Sequence, residues 1–220
     1  MDAKEEKKIL RKGLKERAAG LDGGYCRQAD GAIFRQVISL PEYIESPVLF
    51  CYVGREGEID TRPMMLDALE RGKQVCVPLC TAKGVMEARR IFGLGELKRG
   101  SFGILEPEPD APLVSPEKIG LALIPCLSCT RDGRRLGYGG GYYDRFLPQT
   151  KCFRAVLCRE RMMEDALPAE DHDERMDAVV TEAGVYRINV QERLPERRLC
   201  NEGKQETGYH NRKTVRKRRT

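Results

Sequence analysis

The sequence contains no tryptophan and only two histidines, His172 and His210. Without an indole ring, an aromatic cage for sugars or quaternary amines loses its best component. With one histidine outside the basic C-terminal segment, a His-ligated metal centre or a Ser-His-Asp nucleophile would rest on His172 alone. No apolar run approaches the roughly 20 residues that a membrane-spanning helix needs. The opening stretch, MDAKEEKKILRKGLKERAAG, is a charged helical pattern and lacks the apolar core of a secretory signal. These absences predict a cytoplasmic protein without membrane contact. The nine cysteines are odd in number and come with no export signal, so reduced thiols are expected rather than a disulfide framework.

Positive charge is also missing from most of the chain. Residues 191–220 hold ten Lys and Arg against four Asp and Glu, a net of +6, which leaves the preceding 190 residues at −1 within a total of +5. A folded nucleic-acid binder should carry its positive charge on the fold. Nucleic acid is therefore an unlikely partner except through the tail, whose low apolar content predicts disorder. Such a tail is commonly a solvated extension, and the alternative is a hook for nucleic acid or an acidic partner.

At 220 residues, 40% apolar and 33% charged, the chain suits one globular domain. Amphipathic spacing predicts helices over 4–19 and 24–39, the second capped by Asp22. The continuous apolar runs at 48–53, 74–79 and 119–125 read as strands buried on both faces. Residues 85–92, 154–158 and 177–181 read as further strands. A helix is expected over 62–71 after Thr61, and a short one over YYDRFLP, ended by Pro148. Residues 100–112 read as a loop. Strands alternating with helices predict an α/β fold, a layered, mostly parallel β-sheet flanked by helices in a single domain over 1–190, followed by the tail at 191–220. A monomer is expected.

The strongest local motif is the stretch Arg135-Leu136-Gly137-Tyr138-Gly139-Gly140-Gly141-Tyr142-Tyr143-Asp144. A glycine-rich turn between strand and helix lets backbone N–H groups converge on phosphate oxygens, and glycine permits both positive φ and close approach of a ligand. It matches neither G-x-x-x-x-G-K-[ST] nor G-x-G-x-x-G, because Tyr stands at position 142. A tight structural turn is the competing explanation, against which the flanking Arg, Tyr and Asp side chains suggest a binding rim. Asp144 could hold Mg²⁺ beside phosphates, or simply complement the helix dipole. The segment Asp171-His172-Asp173-Glu174 offers a second set of oxygen ligands or a solvated loop. Lys7 and Arg11, four apart, share a helix face that suits a triphosphate or carries ordinary solvated charges. Glu58 follows the first strand, where α/β folds place ligand contacts. Cys126-x-x-Cys129 and Cys76-x-x-x-Cys80 could supply four zinc ligands, but their apolar setting favours buried thiols acting as small hydrophobes.

Taken in order, these pieces resemble the 5-formyltetrahydrofolate cyclo-ligase family over residues 4–186. The resemblance rests on Lys7-x-x-x-Arg11, Glu58-Ile59-Asp60-Thr61, the stretch Gly100 to Pro107, the Arg135–Asp144 segment, His172-Asp173 and Asp177-Ala178-Val179-Val180-Thr181. It implies an enzyme that closes 5-formyltetrahydrofolate to 5,10-methenyltetrahydrofolate, using ATP and Mg²⁺ and releasing ADP and phosphate through a phosphorylated formyl (imidate) intermediate. It further implies that Lys7, Arg11 and residues 135–143 meet ATP. Arg11, Val53, Glu58 and residues 138–142 would border the folate, and Asp144 and Asp173 would bind Mg²⁺. No residue is implied as a covalent catalyst. The sequence departs from the family pattern with Tyr138 and Gly140 at loop positions that carry Arg and Lys in some relatives, which makes Arg134, Arg135 and Arg145 candidates for the missing charge. Two other classes stay open: a nucleic-acid-associated protein working through its tail, and a nucleotide-binding module without turnover.

Overall fold

A computed structural model describes residues 2–100, 103–170 and 172–189. The expected tail, with His210, and the loop residues Ser101, Phe102 and Asp171 lie outside the described residues.

Helix α1 (Ala3–Ala19) starts at Asp2, whose carboxylate accepts from Glu5 N at 2.8 Å. Helix α2 (Gly23–Ile38) starts in the same way at Asp22, which accepts from Tyr25 N; an N-cap carboxylate satisfies a donor the helix itself leaves unpaired. A five-residue helix α3 (Pro41–Glu45) precedes strand β1 (Val48–Cys51). Helix α4 (Arg62–Glu70) leads to β2 (Gln74–Ala82) and β3 (Val85–Ile91). The short strands β4 (Lys98–Arg99) and β5 (Leu105–Glu106) pair with each other. Strand β6 (Leu121–Ile124) is followed by the small hairpin β7 (Ser128–Cys129) and β8 (Arg135–Leu136). Helix α5 (Tyr142–Phe146), β9 (Phe153–Leu157), β10 (Ala178–Val180) and β11 (Val185–Arg187) follow among the described residues.

The main sheet has seven strands in the order β11-β10-β9-β6-β1-β2-β3. Its five inner strands are mutually parallel, and antiparallel strands close both edges. Period-2 alternation sorts the inner strands onto two cores. Leu49, Cys51, Leu121 and Leu123 face α2 and α4 through Ile33, Val37, Met64 and Met65. Phe50, Ala122, Ile124 and Val156 face the layer containing Leu14 of α1 and Phe146 of α5. Covering both faces is why β1 and β6 read as unbroken apolar runs.

Counting the parallel strands in chain order gives 2-1-3-4-5, so the direction of winding reverses between β1 and β6. In a doubly wound sheet that reversal opens a crevice beyond the strand C-termini.

Some expected elements differ. The expected strand over 85–92 is present as β3, but it runs antiparallel to β2 as a hairpin through Gly84, at φ +77°, instead of joining the parallel series. The expected loop over 100–112 includes β5. Thr61 stands at the α4 N-cap without capping it, because its hydroxyl is drawn to Tyr52 O at 2.7 Å and accepts from Gly54 N. Helix α5 stops at Phe146, and Pro148 lies in the 3₁₀ turn that follows.

Candidate active site

The crevice between the ends of β1 and β6 is a cleft of about 590 Å³. Tyr52 and Val53, just past β1, and Pro125, just past β6, form its floor. Lys7, Arg11, Val53, Glu58, the whole run from Arg135 to Asp144, and Asp173 all line it. Every residue assigned to ATP, folate or Mg²⁺ in the sequence analysis thus borders one cavity, whereas Cys76, Cys126, Cys129 and Glu174 do not line it.

The glycine loop takes the conformation its composition allows. Gly139 has φ +98° and Gly141 φ +64°, in the region that disfavours side chains. Arg11 lies across the loop, its Nε donating to Gly137 O at 2.9 Å. Arg145 donates from Nε to Gly84 O at 2.7 Å and from a terminal nitrogen to Gly140 O at 2.5 Å, joining the β2–β3 hairpin to the loop. The helix following the loop is only five residues long, so the cations around it, more than a helix dipole, give the loop its positive character.

Several charges in the cleft meet opposite charges. Arg135 donates to Asp144 Oδ1 at 2.6 Å, while its own Nε is buried without a hydrogen-bond partner among the described residues. Lys7 is 4% exposed and its Nζ sits 2.7 Å from Glu170 Oε2 and 2.6 Å from Asp173 Oδ2. That hydrogen bond lowers the Glu170 carboxyl from its ordinary range. Arg55 Nε donates to Glu58 Oε1 at 2.9 Å and the guanidinium covers the Tyr138 ring at 4.4 Å. Burial, then the negative charge of Glu58, push the Tyr138 hydroxyl up, so it stays protonated and able to donate.

Not every candidate faces the ligand space with its side chain. Leu136 is buried in the core beneath the loop. Tyr143 packs edge-on against Phe50 at 6.4 Å, which anchors the start of α5. Of the three arginines proposed to supply charge, Arg135 and Arg145 reach the cleft; Arg134 pairs instead with Asp132 and is not among the lining residues. The exposed His172 approaches Glu170 at 4.0 Å.

Sequence reasoning missed Arg55, Glu170 and the arginine that holds the Glu58 loop. Arg159 pairs with Asp30 and donates to the carbonyls of Gly57 and Glu58, each at 3.0 Å. No local pattern links residue 159 to residue 58; only the fold does.

The description "5-formyltetrahydrofolate cyclo-ligase family" matches residues 3–182, which spans every part of the cleft. The chain belongs to this family. It is 30% identical to the mitochondrial 5-formyltetrahydrofolate cyclo-ligase of Arabidopsis thaliana, over 83% of this chain and 76% of the relative. It is 40% identical to the 5-formyltetrahydrofolate cyclo-ligase of Mycolicibacterium smegmatis, over 63% of this chain and 75% of the relative. The NMR structure of 5,10-methenyltetrahydrofolate synthetase from Aquifex aeolicus superimposes with a TM-score of 0.74 at 29% identity, covering 83% of this chain and 93% of that one. A Mycoplasma pneumoniae 5,10-methenyltetrahydrofolate synthetase shares the fold, with a TM-score of 0.66 at 19% identity, covering 80% and 98%. Among the described residues, no helix is long and apolar enough to cross a membrane.

Proposed function

We propose that this chain is an ATP-dependent 5-formyltetrahydrofolate cyclo-ligase producing 5,10-methenyltetrahydrofolate. The observation that carries the reading is the single cleft: Lys7, Arg11, Glu58, Asp144 and Asp173, drawn from segments up to 166 residues apart, border one bare-backbone loop. Family membership supports the same conclusion.

On this reading the polyphosphate of ATP lies along residues 137–141, with Lys7, Arg11 and Arg135 offsetting its charge. The folate lies against Val53, Glu58 and Tyr138, where Glu58 accepts hydrogen bonds from the pteridine. The formyl oxygen attacks the γ-phosphorus, ADP leaves, and the oxygen becomes part of a phosphorylated imidate. The neighbouring folate nitrogen then attacks the formyl carbon, its proton passes to solvent, and phosphate departs with the oxygen. Such chemistry needs positioning and charge neutralisation more than a protein nucleophile. A cleft whose lining includes one exposed histidine and several cations is suited to that.

The donor set fits Mg²⁺. Asp144 and Asp173 offer hard carboxylate oxygens in a cleft built for phosphate, the arrangement this ion favours. When bound there, Mg²⁺ would neutralise phosphate charge. Lys7 and Arg135 hold these carboxylates in place.

The test is the near-ultraviolet absorbance of the methenyl product, followed with purified protein, 5-formyltetrahydrofolate and Mg-ATP. Product that forms only with ATP is expected. No product, or equal product without ATP, overturns the reading.

A further inference from the structure

The sulfurs of Cys126, Cys129 and Cys158 lie within 4.8 Å of one another. Sheet register brings them together. Strands β6 and β9 pair in parallel with Ile124 opposite Val156, so Cys126 and Cys158, each two residues further on, emerge side by side. Cys129 returns to them in β7, whose approach is fixed by Leu127 N donating to Leu136 O at 2.8 Å. Cys129 and Cys158 are buried, while Cys126 is partly exposed. Cys126 and Cys158 line a cavity of about 40 Å³ together with Met162. That cavity shares Tyr52, Glu58, Pro125 and Tyr138 with the main cleft, which gives it a route to solvent.

Buried thiols acting as small hydrophobes explain Cys51 and Cys76 in their apolar strands. They do not explain three thiols converging beside a cavity from the ends of β6 and β9 and from β7. We propose that Cys126, Cys129 and Cys158 bind one soft d¹⁰ metal ion, Zn²⁺ or Cu⁺, at a site separate from the hard-oxygen pair Asp144 and Asp173. Thiolate donors select such ions over Mg²⁺. A tetrahedral ion with bonds of about 2.3 Å spans sulfurs about 3.7 Å apart, so small side-chain rotations complete the site. Cu⁺ is satisfied by three thiolates. Zn²⁺ takes a fourth ligand, and the cavity exceeds the roughly 10–15 Å³ that one water needs.

Binding exchanges the S–H protons, released to solvent, for metal–sulfur bonds, with no electron transfer.

The inference stands independently of the cyclo-ligase reading, because its test contains neither folate nor ATP. Reduced, metal-free full-length protein is titrated with Co²⁺, a spectroscopic stand-in for Zn²⁺. A thiolate-to-cobalt charge-transfer band is expected, saturating at one ion per chain and bleached by stoichiometric Zn²⁺. An anaerobic arm measures whether the protein withdraws Cu⁺ from a coloured chelator, and the tighter of the two ions identifies the natural class. Cys129→Ser and Cys158→Ser should each weaken binding by about 100-fold or more, since each removes a ligand. The Glu170→Gln variant should leave the band unchanged. Absence of the band together with no Cu⁺ uptake, or a band that persists in Cys158→Ser, overturns the proposal. If the serine variants fail to fold, thiol labelling of the wild-type protein decides. Protection of three thiols by one equivalent of Zn²⁺ or Cu⁺ supports the site, and unchanged reactivity with both ions refutes it.

Discussion

The buried Arg159 and the partly buried Asp30, 129 residues apart, form a bidentate ion pair with contacts of 2.7 and 2.9 Å. The pair grips the loop that carries Glu58. Arg159 holds the Gly57 and Glu58 carbonyls, and Asp30 accepts from Asp60 N at 3.1 Å. Removing one partner strands the other charge in a low-dielectric setting. Arg159→Met should therefore cost about 3–5 kcal/mol, measured by urea unfolding. In a double-mutant cycle the Asp30→Asn, Arg159→Met pair should lose less than the sum of the single losses. At a temperature where the variant is folded, KM for 5-formyltetrahydrofolate should rise more than KM for ATP.

Asp144→Asn keeps the shape of the side chain but removes its charge, which weakens the Arg135 contact and, on the proposed reading, Mg²⁺ binding. Activity should fall by about 10- to 100-fold and the Mg²⁺ concentration for half-maximal rate should rise. A rate assay over a Mg²⁺ series checks this.

The Glu170 carboxyl is held below its ordinary 4.5 chiefly by the Lys7 hydrogen bond. Its folded value is thus lower than its unfolded one, so its contribution to stability is present above about pH 4.5 and disappears as pH falls through the lowered value. In Lys7→Met the Glu170 carboxyl should titrate nearer 4.5, read from the side-chain carboxyl carbon by NMR, and KM for ATP should rise.

Phe50 stacks on Phe146 with ring centroids 5.0 Å apart, beneath the helix that follows the glycine loop. Phe50→Ala should destabilise the fold by about 3–5 kcal/mol in chemical denaturation.

Cutting the chain after residue 190 should leave kcat and KM unchanged, since among the described residues none lining the cleft lies beyond Asp173. Any salt-sensitive binding of RNA or DNA by the full chain should vanish with the tail.

Much of the scaffold was legible because its signals are local. Asp22 announces α2 by its capping chemistry, and the VLFC and LALI runs announce strands covered on both faces. Helix α3 and strand β11 escaped because five and three residues are too few to establish a period. Within the cleft, Lys7, Arg11 and the glycine loop could be found from spacing and composition. Partner choice could not. Arg134 and Arg135 are neighbours in sequence, but strand alternation sends one to Asp132 and the other to Asp144. Likewise Cys126-x-x-Cys129 gives no hint of Cys158, which joins them through the β6–β9 register.

The bridge made by Arg145 has a mechanical consequence. One side chain fastens the tip of the edge hairpin to the backbone of the glycine loop, so neither can shift without pulling on the other. A nucleotide that straightens or tightens the loop would be felt at the outermost strand of the sheet. Gly84 guards this strut: a β-carbon there would collide with the guanidinium. Residue 84 is therefore a place where a single methyl group would push Arg145 off its bond to the glycine loop.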